Sequence, residues 1–149
     1  MKKNILILFF GLFLLGCEKD KDFRDEIIGT YNCSIIQDNI DLESGSIKIK
    51  KAETENRVIL TIVGLESDFD ILCDISEIGT NIYSLSLLSN QSFNSDGITY
   101  KISKISSTNI DGKIINDTKS IVFQFKLNYS FSVDTHYNME SELQFNGKK

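Results

Sequence analysis

From Ile121 to Val133 the chain alternates: Ile121, Phe123, Phe125, Leu127, Tyr129, Phe131 and Val133 are apolar, with Gln124, Lys126, Asn128, Ser130 and Ser132 between them. Successive side chains of a β-strand point to opposite faces, so a period of two gathers the large apolar groups on one face and leaves the other to water. A helix would scatter the same residues around its circumference. At ~3.3 Å per residue the run would span roughly 40 Å, longer than most strands, so it is expected to bend, carry a bulge or end near Ser130.

The same period recurs through the chain. It predicts strands over Ile28–Ile36, Ser46–Lys51, Val58–Val63, Phe69–Ile75, Ile82–Leu88, Ile98–Ile105, Ile110–Ile115 and Tyr137–Phe145, with no 3.6-residue stripe between them. Val58–Val63 is apolar on both faces, which calls for a central strand covered on each side, or one whose second face meets a helix, a partner or a ligand. Glu43-Ser44-Gly45, Asp96-Gly97 and Asp111-Gly112 read as turns. There is no proline to break a strand. The expected fold is therefore all-β: an antiparallel meander of eight to nine strands, closed as a barrel or split into a two-sheet sandwich.

The start of the chain has a different character. Lys2 and Lys3 precede an apolar run from Ile5 to Leu15 that closes on Leu14-Leu15-Gly16-Cys17. About 11 apolar residues are too few for the ~20 that a membrane-crossing helix needs, so the run reads as a secretion signal. It resembles the lipobox of bacterial lipoproteins, in which a small residue precedes a cysteine that is acylated and becomes the new N-terminus. That resemblance implies a signal peptide over residues 1–16 and lipid attachment at Cys17. Two or three acyl chains on one residue make release from a membrane negligible, since each buried methylene contributes roughly 0.8 kcal/mol. Residues 17–26, dense in charge from Glu18 to Glu26, are expected to be a solvated tether, leaving 27–149 as a single β domain. The tether is loosely similar to the acidic signal that places lipoproteins of Bacteroidetes-type bacteria on the outer face of the outer membrane. The expected location is thus the outer membrane, with the cell surface slightly favoured over the periplasmic face.

Ile28-Gly29-Thr30-Tyr31, at the start of the domain, resembles the opening of lipocalin-like and calycin-like proteins. The order of Ile59 to Leu65, the Asp111 to Ile114 segment and the long strand from Ile121 looks more particularly like small calycin-like lipoproteins of Bacteroidetes. Lipocalin-like and calycin-like proteins open with Gly-x-Trp or a Tyr variant, so Tyr31 stands for the usual tryptophan, and no second lipocalin motif is present. The resemblance therefore implies a barrel-like fold and carries over no ligand.

Little points to chemistry. The net charge of −5 becomes more negative once Lys2 and Lys3 are removed, and Lys48, Lys50 and Lys51 are the main basic cluster, so nucleic acid is not an expected partner. Cys33 and Cys73 are the thiols left beside Cys17. Outside the cytoplasm they are open to a disulfide, which would close a loop of about 40 residues and contribute ~4 kcal/mol, or to burial as free thiols. His136 is the one histidine, and it has no nucleophile motif near it. A single histidine excludes a multi-histidine zinc site. Asp68, Asp70 and Asp74 offer oxygen ligands, but Asp70 and Asp74 fall on the solvent side of a strand. No metal, cofactor or catalytic residue is expected. Tyr83, Phe93, Tyr100 and Tyr137 are candidates for an exposed aromatic platform. The expected function is a non-catalytic binding or structural module at the envelope, anchored to the membrane through Cys17, with an envelope protein or a glycan as partner. The alternative is a carrier holding a small hydrophobic ligand in the barrel.

Overall fold

A computed structural model describes residues 21–65, 67–105, 110–131 and 134–149. The strands are β1 (Gly29–Gln37), β2 (Ile40–Lys51), β3 (Arg57–Val63), β4 (Phe69–Gly79), β5 (Ile82–Leu87), β6 (Gln91–Ser95), β7 (Ile98–Ser103), β8 (Gly112–Ile115), β9 (Ser120–Phe131) and β10 (Asp134–Lys148). They pair in the order β10-β1-β2-β3-β4-β5-β8-β9, and β9 pairs back to β10, so eight antiparallel strands close into a barrel. Closure leaves none of these eight as a full-length edge.

β6 and β7 lie outside the ring. The long strand β9 has two neighbours on one side: β8 along its first half, from Ile115↔Ser120 to Gly112↔Phe123, and β7 along its second, from Ser103↔Lys126 to Ile98↔Phe131. The β6–β7 hairpin so extends the wall where β8 has ended.

The period of two does what the sequence suggested. Tyr31, Ile47, Leu60, Ile62, Ile71, Leu85, Ile114, Phe123, Phe125 and Phe145 are fully buried and fill the barrel. Phe125 stacks on Phe145 at 5.7 Å and meets the edge of Phe69 at 6.1 Å. β9 runs to Phe131 and stays in register; the irregularity falls on β10, between Asp134 and Asn138.

Several expectations change. Glu43-Ser44-Gly45 lies inside β2, and the β1–β2 turn is made instead by Asp38 and Asn39, both with positive φ. Asp111-Gly112 is not an open turn: Asp111 is buried and Gly112 begins β8, where a Cβ would come within 2.6 Å of the Phe123 ring. Asp96-Gly97 is a hairpin turn, with φ of 50° and 77° in the pattern that two-residue hairpins need. The outward residues Ile59, Thr61 and Val63 of β3 are half-buried without a helix over them among the described residues.

The stretch read as a tether over 17–26 is structured at its end. Phe23–Glu26 forms a 3₁₀ turn, capped by the Asp22 carboxylate accepting from the Arg24 N–H at 3.0 Å. Cys17 and residues 1–16 lie outside the described residues.

Candidate functional site

The two ends of the barrel differ. At one end meet the N-terminal segment, the β2–β3, β4–β5 and β8–β9 turns and the C-terminus. At the other meet the β1–β2 hairpin, the β3–β4 loop and the β6–β7 and β9–β10 hairpins.

The first end is sealed. Arg24, 6% exposed, donates from Nη1 to the carbonyls of Ala52 (3.2 Å), Thr54 (2.8 Å) and Arg57 (3.1 Å), while Nε and Nη2 hold the Asp22 carboxylate at 2.8 to 3.1 Å. One planar guanidinium thus ties the N-terminal turn to the β2–β3 turn, a task suited to its fixed fork of donors. Hydrogen bonding to Arg24 holds the Asp22 carboxyl well below the usual carboxylate range. Next to it Phe23 stacks on Tyr83 at 5.6 Å, and the Glu26 carboxylate accepts from Tyr83 Oη at 3.2 Å and from Asn116 Nδ2 at 3.1 Å. Below this layer Ile27 is fully buried, and its carbonyl accepts from Tyr31 Oη at 2.9 Å. Burial pushes the Tyr31 hydroxyl up to about 12.

The second end keeps an opening. Phe69, Phe93 and Tyr100 form a continuous stack, at 4.1 Å and 4.7 Å between successive rings, and Tyr129 meets the edge of Tyr100 at 5.1 Å. This stack joins β4 to the β6–β7 hairpin across a seam that no strand pairing closes. At the foot of the seam the Gln91 side chain stands in for a strand: Oε1 accepts from the Leu72 N–H at 2.6 Å and Nε2 donates to the Leu72 carbonyl at 2.8 Å. Above the filled interior lies a cavity of about 140 Å³, lined by the four rings together with Gln37, Leu65, Ser67, Leu127 and Leu143. A larger, open recess of about 520 Å³ lies outside the wall at the foot of β6–β7, where Leu87, Leu88 and Ile102 line it together with Asn90, Gln91, Lys104 and Asn128.

The sequence candidates for an exposed platform separate. Tyr83 belongs to the sealed end and is buried; Tyr100 is also buried, but it and the half-buried Phe93 line the mouth. His136 and Tyr137 fall on β10, and their side chains lie outside the described residues.

Cys33 and Cys73 are free, buried thiols, not a disulfide. They sit on β1 and β4 with β2 and β3 between them, and the Cys33 sulfur is turned toward β10, where a Cβ on Gly147 would run into it. Burial pushes the Cys33 thiol up to about 11 and that of Cys73 higher still. Among the described residues no group of three or more His, Cys, Asp or Glu side chains gathers as a metal site.

Sequence reasoning missed Arg24, Asp111 and Gln91. Asp111 is buried beside β5, where Oδ2 accepts from the Leu87 N–H at 2.6 Å and lies 3.4 Å from Lys104 Nζ. Gln91 and Asp111 meet backbone groups beside strand ends, and Arg24 gathers the carbonyls of the β2–β3 turn; such roles leave no spacing pattern to read. The chain matches no protein-family model, and no curated protein is similar enough to count as a relative.

Proposed function

We propose that the chain is a calycin-like lipoprotein of the cell envelope, held in the outer membrane by an acylated Cys17, whose barrel binds or scaffolds and does not catalyse. The observation that carries this reading is the asymmetry of the barrel: the end beside the anchor is sealed by Arg24 and the 3₁₀ turn, and the far end keeps an aromatic-lined mouth. Only Glu18 to Lys21 separate Cys17 from Asp22, a reach of roughly 15 Å at full extension, so an acyl anchor would hold the sealed end close to the bilayer and turn the mouth toward partners.

The packed interior favours a display module over a carrier. A space of about 140 Å³ matches a single benzene-sized group and falls far short of an acyl tail. The outer recess is larger and partly apolar, but it is open to solvent and lies outside the barrel, so it is not the enclosed interior in which a carrier would hold its ligand.

Intact mass measurement of the protein from membranes tests the anchor. The expected product begins at Cys17 and carries the added mass of acyl chains; a Cys17→Ser chain should lose both the added mass and the membrane fraction. An unacylated, soluble product from the unaltered chain would refute the reading. Protease treatment of whole cells distinguishes a surface-facing barrel from a periplasmic one. Solvent extraction of the purified protein, with one lipid recovered per chain, would favour the carrier instead.

A further inference from the structure

We propose that the mouth docks a protein segment that presents one benzene-sized apolar side chain flanked by lysine or arginine. The inference rests on the reading of the barrel as a binding module and adds the chemistry of its partner.

The size of the anchor residue follows from the cavity. About 140 Å³ between Phe69, Phe93, Tyr100, Tyr129 and Leu143 is close to the roughly 150 Å³ that admits benzene in an apolar protein cavity. Phe93 has both faces covered by Phe69 and Tyr100, and Leu65, Leu127 and Leu143 add aliphatic groups to the lining. An apolar ring or branched side chain suits such a lining.

The partner is larger than the group that fills the cavity. Ile40 is paired in register with Gln37, and Met139 with Tyr129, both of which line the cavity. Residues directly opposite on paired strands point to the same face, so Ile40 and Met139 continue the cavity wall past the rim. They are 67% and 58% exposed, and Leu42, two residues along from Ile40, is 40% exposed. A free benzene-sized molecule would leave this apolar rim in water, whereas a polypeptide crossing the mouth would cover it.

Charge sets the flanking residues. No lysine or arginine occurs in 25–47, 58–100 or 127–147, the spans that contain all four connections at the mouth. Asp38, Asp41, Asp68, Asp96 and Glu140 are exposed on those same segments. The basic residues Arg24, Lys51, Arg57, Lys119, Lys148 and Lys149 lie toward the sealed end. An acidic rim around an apolar socket attracts cationic segments and repels anionic ones.

Fluorine NMR of short peptides titrated with the full-length protein tests the proposal. The probe is Lys-Lys-Xaa-Lys-Lys with 4-fluorophenylalanine at Xaa; the comparisons are the same residue between glutamates, free 4-fluorophenethylamine, and the lysine peptide with alanine at Xaa as competitor. The lysine peptide should shift and broaden on binding, and it should bind roughly tenfold more tightly than the glutamate peptide or the free amine. The alanine peptide should compete weakly. Affinity should fall as salt rises from about 0.05 to about 0.5 M. Met139→Lys, at an exposed site that leaves folding intact by circular dichroism, should weaken binding several-fold.

Equal binding of the glutamate peptide, or free amine binding as tight as the lysine peptide, would overturn the proposed partner while leaving the mouth as a binding site. No response from any fluorinated probe, with the protein folded, would overturn both.

Discussion

Replacing Arg24 with alanine should unfasten the sealed end of the barrel, and the structure fixes the scale of the effect. Three carbonyls lose a charged donor at 2.8 to 3.2 Å. A hydrogen bond to a charged group contributes roughly 1.5–3 kcal/mol, which sets an upper bound well above 4 kcal/mol. Two of these carbonyls keep a backbone partner, because Arg57 N still donates to Thr54 and Ala52 N to Arg57. The Asp22 carboxylate also keeps Lys51 Nζ at 3.0 Å, so its charge is not stranded. The net loss should therefore be about 3 kcal/mol, and the thermal midpoint should fall by roughly 10 °C. Arg24→Lys keeps the charge without the fork and should lose about half as much. The same variant reports on pH. Asp22 is held below its unfolded value, so its contribution is complete above about pH 4 and is lost as pH falls through the folded value. Arg24→Ala should flatten the acid limb of the stability curve. Urea unfolding followed by circular dichroism from pH 7 to pH 2 measures both quantities. An alanine variant within about 0.5 kcal/mol of the unaltered chain, with the same acid limb, would refute the assignment of Arg24 as the clasp.

Three further outcomes follow from the packing. Gly147→Ala places a methyl group against the Cys33 sulfur and should destabilise the barrel by about 1–3 kcal/mol; combining it with Cys33→Ala should recover much of the loss, and a strictly additive double variant would argue against the contact. Gln91→Ala leaves the Leu72 N–H and carbonyl without their side-chain partner, so it should cost about 1–2 kcal/mol and speed proteolytic cleavage within β6 more than elsewhere, a difference that fragment masses would reveal. Cys33 and Cys73 should resist alkylation at pH 8 in the folded protein and react fully in denaturant; native labelling of Cys33 within minutes would contradict its burial and raised thiol.

How far the sequence disclosed this fold depends on whether a strand has one wet face. β1, β4 and β9 alternate cleanly because one face fills the barrel and the other meets water, and all three follow from period alone. β6 does not. Its only large apolar residue is Phe93, its sequence Gln-Ser-Phe-Asn-Ser resembles a loop, and both of its faces are partly exposed because it stands outside the ring. The first half of β2 was hidden for a related reason. It leaves the barrel toward the rim, where Ile40 and Leu42 have no core to bury them, and Gly45 within it resembles a turn residue. That glycine is required by close approach: a Cβ there would lie 2.5 Å from Ile35 Cδ1 and from the Val63 carbonyl. Glycine for crowding and glycine for a turn look alike in a sequence.

The charge pattern carries information of another kind. The absence of lysine and arginine from three long spans is visible in the sequence but has no meaning until topology shows which ends of the strands those spans reach. Antiparallel strands send every second connection to the same end, so a basic-free mouth requires β1–β2, β3–β4, β6–β7 and β9–β10 all to lack lysine and arginine, while at the sealed end Lys51, Arg57 and Lys119 border the β2–β3 and β8–β9 turns and the β4–β5 turn has no basic residue. Solubility alone would be served equally well by any arrangement of the same charges, and the 3₁₀ turn, where Arg24 and Lys51 pair with Asp22 and Asp25, shows that basic residues are tolerated at a barrel end. The clearing of basic residues from the mouth is therefore a property of the surface the chain presents, not of the barrel's stability, and it coincides with the end where half-buried Phe93 and Tyr129 surround a cavity.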